Sequence, residues 1–264
     1  MTILQAMVLG IVQGITEFLP VSSSGHLILV PELLGWPLQS AAFDAVMHWA
    51  TLAAVIVALW PDVREVIVSV GSRKKSDWKR LGVMIAVATI PAVVIGLLFD
   101  EMIETTLRSP IVVAVSLAIW GVLLFIADRL MKPSAVSDVK RVGWRSVAWI
   151  GLAQAIALIP GTSRSGVTIT AGLFTGLNRE TAARFSFLLG IPAIALAGAA
   201  GMLDVVRGNA GVEPLPLAVG FVSAFAAGFF SIRLLLRLLK SGSYAGFAVY
   251  RVLLAAVVLW VFLK

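Results

Sequence analysis

The chain has 264 residues, of which 59% are hydrophobic and 13% are charged, and its mean hydropathy is +0.99. Soluble domains carry roughly 25% charged residues, so this composition predicts a polytopic membrane protein. The net charge of +7 comes from basic residues scattered between apolar segments, which indicates membrane topology and argues against a nucleic-acid partner. The absence of cysteine excludes disulfides, zinc-thiolate sites and cysteine nucleophiles.

The N-terminal segment is apolar, but Gln13 and Glu17 interrupt it, and Pro20 and Gly25 break it soon afterwards. It lacks the basic start and the cleavage site of a secretory signal peptide, so we expect it to remain in the protein. Its two short apolar parts, about 4–18 and 23–34, are too short to span a membrane alone. They predict a re-entrant helix hairpin, which is tolerated at membrane depth where it is buried in protein or lines a cavity.

The rest of the chain predicts three spans, a second broken segment and three more spans. The first three spans are about 41–60, 81–99 and 110–128, with a basic linker at 61–80. A basic loop at 129–145 precedes the second broken segment, about 147–176, and the last spans are about 182–203, 215–237 and 246–263. We expect an all-α membrane protein with a single domain, 1–264, and two repeats, about 1–130 and 145–264. Three spans is an odd number, so the repeats would have opposite orientations in the membrane.

The distribution of lysine and arginine predicts the orientation of the chain. If the 61–80 linker is cytoplasmic, 17 of the 21 basic residues lie on that side. These include the loop at 129–145, the turn with Arg179 and Arg184, and a C-terminal group: Arg233, Arg237, Lys240 and Arg251. The exceptions are Arg108, Arg164, Arg207 and Lys264. Both termini and the mouth of the first hairpin would lie on the outer side, and the two hairpin tips would meet inside the bilayer.

The first broken segment contains a polar run that ends in Ser22-Ser23-Ser24-Gly25-His26. Before this run, Gln13 and Glu17 are four residues apart and project from one face of a helix. Their oxygens could hold a hard divalent cation or position a water; alternatively, they satisfy backbone groups freed by the helix break. Polar residues at membrane depth indicate a functional site.

The second broken segment repeats the order of the first, from Gln154 to Pro160-Gly161-Thr162-Ser163-Arg164-Ser165-Gly166. A single hydroxyl at such a position is an ordinary N-cap. Two facing clusters at helix N-termini, however, offer hydroxyls, backbone N–H groups and positive dipole ends to an anion. We therefore expect substrate phosphate to be bound by both clusters: Ser22, Ser24, Thr162, Ser163, Arg164 and Ser165. Arg164 favours phosphate because its guanidinium binds phosphate oxygens bidentately; it could also pair with Glu17.

The two histidines have different interpretations. His26 follows the serines and has a carboxylate nearby, so it could be a nucleophile toward phosphorus, a general acid or base, or the base that a serine nucleophile needs. Its alternative role is a hydrogen bond in the protein core. His48 lies inside the first span with no polar neighbour except Asp44, so we interpret it as structural.

The motifs from Glu17 to His26 and from Pro160 to Gly166 resemble those of the bacitracin-resistance family of undecaprenyl-diphosphate phosphatases, over nearly the whole chain. The resemblance implies an enzyme of the bacterial inner membrane. It would hydrolyse undecaprenyl diphosphate to undecaprenyl phosphate and inorganic phosphate, recycle the lipid carrier for cell-wall synthesis and confer bacitracin resistance. It also implies a divalent cation, Mg²⁺ or Ca²⁺.

The resemblance further implies roles for single residues. Glu17 belongs to the catalytic acidic motif, Ser23 and His26 lie at the reaction centre, and the diphosphate is bound by Ser163, Arg164, Ser165 and Thr168. Gln13 occupies the first acidic position of the motif, which weakens its assignment as a charged metal ligand. The nucleophile, Ser23 or His26, stays open, and so does the oligomeric state, including a homodimer.

A polyprenyl-phosphate transporter or flippase is the main alternative, because inverted repeats with anion sites near the midplane are typical of transporters. Such a protein would bind phosphate without an activated nucleophile. Under both interpretations the expected partners are a polyprenyl phosphate lipid and the surrounding membrane lipids.

Overall fold

The computed structural model describes residues 1–105, 107, 109–132, 135–206 and 213–262, without the side chains of 100, 101, 103–105 and 200–206. Arg108, Arg207 and Lys264, and the predicted end of the last span at 263, lie outside the described residues. The first half contains α1 (Ile3–Phe18), α2 (Ser23–Leu34), α3 (Ala41–Ala58), α4 (Trp60–Gly71), α5 (Asp77–Thr105) and α6 (Pro110–Leu130). The second half contains α7 (Trp144–Ile156), α8 (Arg164–Phe174), α9 (Arg179–Val206), α10 (Pro214–Leu238) and α11 (Ala245–Phe262).

Among the described residues, six helices are long and apolar enough to cross a membrane: α3, α5, α6, α9, α10 and α11. Each set of three follows a pair of short helices, α1–α2 or α7–α8, as the sequence predicts. Large apolar side chains point outward from the spans; Leu97 is 80% exposed and Phe230 is 68% exposed. Such a surface suits lipid, and the all-α, multi-pass membrane architecture is confirmed.

Proline and serine set the break in the first hairpin. Leu19 precedes Pro20 and is extended, with φ −67° and ψ 142°, because a following proline disfavours the helical conformation. The chain then turns back, and α2 begins at Ser23 with Ser22 as its N-cap. Gly35 ends α2 in the left-handed conformation, with φ 63°. The helix bounds agree with those predicted for the hairpin.

The 61–80 segment differs from the prediction of a linker, because its first part forms α4. Pro61 in the first turn favours the start of a helix, since its missing N–H would have no helical partner there. Val66 and Val70 then pack against α5 at Gly82, where an added Cβ would lie 2.9 to 3.0 Å from their methyl groups. The basic residues of 73–80 follow this helix. The prediction of a linker rested on the charged residues of the segment and missed the short apolar stripe of α4.

The first short helix of each half packs on a span of the other half. The first helix of the first half, α1, packs mainly on α10 of the second half, and α7 packs on α5 of the first half. The pairs α3–α9 and α6–α11 join equivalent spans of the two halves. This reciprocal pattern is the one that a two-fold repeat produces; the opposite orientation of the repeats in a membrane stays a prediction.

Glycine permits the closest of these approaches. A Cβ on Gly10 would lie 3.1 Å from Gly220 Cα, and one on Gly14 would lie 2.7 Å from Gly228 N. The backbones of α1 and α10 therefore touch directly, as in membrane helix pairs with small residues at the interface. This contact places the C-terminal turns of α1, with Gln13 and Glu17, in the interior of the protein.

Candidate active site where the two hairpin tips meet

The two hairpin tips have the same local conformation. Ser22 and Ser163 are the non-glycine residues with positive φ in the described part of the chain, at 75° and 70°. Each is the N-cap of the helix that follows, and its hydroxyl accepts a hydrogen bond from the N–H of Gly25 or Gly166. Non-glycine residues in this region cost about 1–3 kcal/mol and concentrate at functional sites.

Each tip also presents the first turn of a helix to the same place. Ser22 Oγ lies 3.2 Å from Ser24 Oγ, and the equivalent distance from Ser163 Oγ to Ser165 Oγ is also 3.2 Å. The cap hydroxyls occupy the N–H groups of Gly25 and Gly166, while the two preceding N–H groups of each helix have no acceptor within the helix. These N–H groups and the positive helix ends are available to an anion.

The two tips contact each other through charged and polar bonds. Arg164 Nη2 donates to Glu17 Oε1 at 3.0 Å, in an ion pair whose side chains are 13% and 7% exposed. Ser165 Oγ donates to the backbone oxygen of Leu19 at 3.0 Å. The tips of the two halves therefore meet, and the structure shows the pairing with Glu17 that was suggested as an alternative role for Arg164.

Glu17 is the centre of a small hydrogen-bond network. Its Oε2 accepts from Ser23 Oγ at 3.0 Å and from Gln13 Nε2 at 3.2 Å, while Oε1 accepts from Arg164. A carboxylate that accepts from a serine hydroxyl can take its proton when the oxygen attacks an electrophile. The structure thus brings a serine hydroxyl, a carboxylate and a guanidinium together.

Arg164 is held by a second contact. Its Nη1 donates to the backbone oxygen of Ser186 at 3.0 Å, and the Ser186 hydroxyl lies 2.7 Å from Thr168 Oγ1. Thr168 also donates to the backbone oxygen of Arg164. Thr168 therefore supports the position of Arg164, and a role of Thr168 in binding phosphate stays a prediction.

A cavity of about 240 Å³ opens beside this network. Its polar lining includes six of the predicted site residues: Glu17, Ser22, Ser23, Ser24, Ser163 and Arg164. Its apolar lining comes from α5, α9 and the second tip, with Ala92, Leu158, Ile194 and Ala197. A polar end against an apolar wall suits a lipid with a charged head.

The cavity is also lined by three polar residues that were not predicted to belong to the site: Thr16, His48 and Gln154. Gln154 was noted as part of the repeated motif, and its Nε2 donates to the backbone oxygen of Ala88 at 3.4 Å. His48 was interpreted as structural, although a histidine within an apolar span is a signal for a functional role. Conversely, Thr162 and Ser165 are buried, and they do not line the cavity.

His26 is turned away from the cavity. Its Nδ1 donates to the backbone oxygen of Ser22 at 2.7 Å, since a carbonyl can only accept, and the Tyr250 hydroxyl donates to Nε2 at 2.6 Å. The two rings also stack, with an interplanar angle of 8°. Both ring nitrogens are engaged, so in this conformation His26 holds the backbone of Ser22, and its role as a nucleophile stays a prediction.

Arg251 does not lie where the pattern of basic residues predicts. It was counted with cytoplasmic basic residues, but it is 0% exposed and lies inside α11. Its guanidinium donates to the backbone oxygens of Pro20 in the first tip and of Gly161 and Thr162 in the second, and Nε donates to Leu117. Arg251 therefore clamps the two tips together. A charged residue inside an apolar span is the sequence signal that indicates such a buried role.

The oxygen atoms of Gln13 and Glu17 are of the kind that bind a hard divalent cation. Gln13 Oε1 is buried without a hydrogen-bond partner among the described residues, beside the only carboxylate of the cavity lining. The described residues contain no group of three or more His, Cys, Asp or Glu side chains suited to a metal ion. Mg²⁺ is usually bound by one or two carboxylates together with substrate phosphates and waters, so this donor set is compatible with it.

The chain is similar over almost its whole length to several curated sequences. It is 46% identical to an undecaprenyl-diphosphatase of Teredinibacter turnerae, with 96% of this chain and 97% of the relative covered. It is 45% identical to an undecaprenyl-diphosphatase of Moorella thermoacetica, with coverage of 99% and 98%, and 44% identical to undecaprenyl-diphosphatase 2 of Stutzerimonas stutzeri, with 99% of both covered. Residues 6–257 match the family described as bacitracin resistance protein BacA. The chain therefore belongs to the bacitracin resistance protein BacA family.

Proposed function

We propose that this protein is an undecaprenyl-diphosphate phosphatase that releases undecaprenyl phosphate and inorganic phosphate. The observation that carries the proposal is the Ser23–Glu17–Arg164 network at the wall of a cavity that is apolar on its other side. A transporter needs an anion site, but it does not need a serine hydroxyl bonded to a carboxylate. The relatives that bear the name of this activity match at about 45% identity.

In the first step, Ser23 Oγ attacks the terminal phosphorus and Glu17 Oε2, 3.0 Å away, takes the hydroxyl proton. The bond between phosphorus and the bridging oxygen breaks, and undecaprenyl phosphate leaves. Arg164 and the N–H groups at the starts of α2 and α8 stabilise the charge on the phosphoryl oxygens. Water then hydrolyses the phosphoserine and releases inorganic phosphate. The isoprenoid chain would lie along the apolar wall formed by α5 and α9.

Gln13 and Glu17 are the residues that would hold a divalent cation, Mg²⁺ or Ca²⁺, together with the diphosphate. When bound, such a cation neutralises the charge of the phosphates and raises the electrophilicity of phosphorus. The ion pair with Arg164 must loosen as the anion enters, since the phosphate competes with Glu17 for the same guanidinium. Arg164 is thereby kept in place before substrate arrives.

The test of this function is phosphate release from undecaprenyl diphosphate by purified protein in detergent, where no two compartments exist. We expect turnover by the native protein, a reduction of at least about 100-fold in S23A and R164A, and loss of turnover with a chelator that is restored by Mg²⁺ or Ca²⁺. Matched controls are S116A in α6 and R233A in α10, neither of which lies at the cavity. Binding without phosphate release by the native protein would favour the transporter.

The identity of the nucleophile has its own test. Protein quenched during turnover with labelled substrate should carry phosphoserine, which survives acid, at Ser23. Phosphohistidine at His26, which acid hydrolyses, would instead show that His26 leaves its bonds to Ser22 and Tyr250 and attacks phosphorus.

We also propose the inner-membrane location and the predicted orientation, with the 61–80 segment in the cytoplasm. Lys74 and its neighbours are exposed, and the chain is free of cysteine, so K74C provides a single label site. An impermeant thiol reagent should label K74C after the cells are permeabilised. Labelling of K74C in intact cells would show that the protein has the opposite orientation.

A further inference from the structure

His48 lies on α3, in a wall of the cavity that also contains Glu17, Ser23 and Arg164. Its side chain is partly buried, and the mechanism described above gives it no role. The cavity therefore contains a histidine from an element that carries neither hairpin motif.

The tautomer of His48 follows from the hydrogen bond that its ring makes to α3. Nδ1 lies 2.7 Å from the backbone oxygen of Asp44, one helical turn earlier, and must carry the proton because a carbonyl only accepts. In the neutral ring, Nε2 then has a free lone pair. Among the described residues, no donor bonds to this nitrogen, so it is available to a molecule in the cavity.

Most of the other polar groups of the cavity are donors that suit a phosphate: the guanidinium of Arg164, the serine hydroxyls and the N–H groups at the starts of α2 and α8. Phosphate oxygens are acceptors and cannot satisfy the lone pair of His48. Water can donate to it while its oxygen faces phosphorus. Glu17 cannot serve this second step while it holds the proton taken from Ser23.

We propose that His48 is the general base that binds and deprotonates the water in the second step of the reaction. The proposal rests on the proposed function. The water oxygen forms a bond to the phosphoserine phosphorus, and the bond from phosphorus to Ser23 Oγ breaks. The proton of the water moves to His48 Nε2, and Ser23 Oγ recovers the proton held by Glu17. Inorganic phosphate leaves, and His48 returns its proton to solvent.

The two steps release different products, so a single-turnover experiment isolates the role of His48. H48L is mixed in detergent with undecaprenyl diphosphate labelled in its terminal phosphate. We expect one equivalent of undecaprenyl phosphate per protein, accumulation of labelled phosphoserine, and phosphate release that is slower than in the native protein by about 10²–10⁴-fold, the usual contribution of a general base. V57L, on an exposed position of α3, is the matched control.

Native release of phosphate by H48L, or an equal loss of both products without phosphoserine, would overturn the proposal. The native protein tests the proposed function itself. If it releases neither product, the proposed function fails. If it releases both and H48L does the same at the native rate, only the role of His48 fails. If H48L does not fold, H48Q carries the same test, since glutamine can accept a hydrogen bond but cannot take the proton. H48Q should also accumulate phosphoserine, and native turnover of H48Q would equally refute a base at this position.

Discussion

Replacing Gly14 with alanine should lower activity, because α1 and α10 touch through their backbones at this position. The new Cβ would lie 2.7 Å from Gly228 N and 2.8 Å from Ala227 Cβ, and closer still to the backbone oxygen of Ala224. None of these contacts involves the end of a flexible side chain. The helices must therefore separate for the methyl group to fit.

The size of the effect follows from these distances. Ordinary contact begins near 3.4 Å, so α1 must move by at least about 0.7 Å relative to α10. Overpacking of this kind costs about 1–3 kcal/mol, against a gain of about 1 kcal/mol from the higher helix propensity of alanine. A displacement of about 1 Å at a catalytic group can cost 10²-fold in rate. Because Gln13 and Glu17 move with α1, we expect a loss of about 10- to 100-fold in phosphate release.

The assay measures phosphate release from undecaprenyl diphosphate in detergent, together with the midpoint of thermal aggregation of G14A. The control is G246A in α11, where an added Cβ meets nothing within 4 Å. G246A should keep native activity and stability. Native turnover by G14A, with an unchanged midpoint, would show that α1 and α10 are not packed as described and would refute the reasoning.

Three further predictions concern charged groups. E17Q should reduce phosphate release by about 10²–10⁴-fold, because the amide cannot take the Ser23 proton or pair with Arg164; native turnover would exclude Glu17 as the base. R251K should lower both the midpoint of thermal aggregation and the activity, because one ammonium group cannot reach carbonyls in both tips and in α6; a native midpoint would contradict the clamp. D128N should destabilise the protein by about 3–5 kcal/mol, measured by denaturant unfolding, because the Arg179–Asp128 pair is buried on the Asp128 side. A loss in D128N that is no larger than that in the exposed-pair variant D138N would show that this bridge contributes little.

Several features of this protein follow from short stretches of sequence. The broken helices around Pro20 and Pro160, the serine caps after them and the six apolar spans depend on residues within one or two turns of each other. Hydropathy and proline geometry act over that range. The repeated motif also predicted that the two clusters belong to one site, and the contact between Glu17 and Arg164, 147 residues apart, agrees with this expectation.

Tertiary packing decided which side chains face the cavity. The spacing of Ser23 and His26 favours neither as the nucleophile, but the Tyr250 hydroxyl and the Ser22 carbonyl hold the imidazole of His26 away from the cavity. His48 and Arg251 lie in apolar spans, where the sequence cannot say how a helix is rotated about its axis. That rotation depends on the packing of distant helices, such as α1 on α10 at Gly14, and it places His48 at the cavity and Arg251 between the two tips.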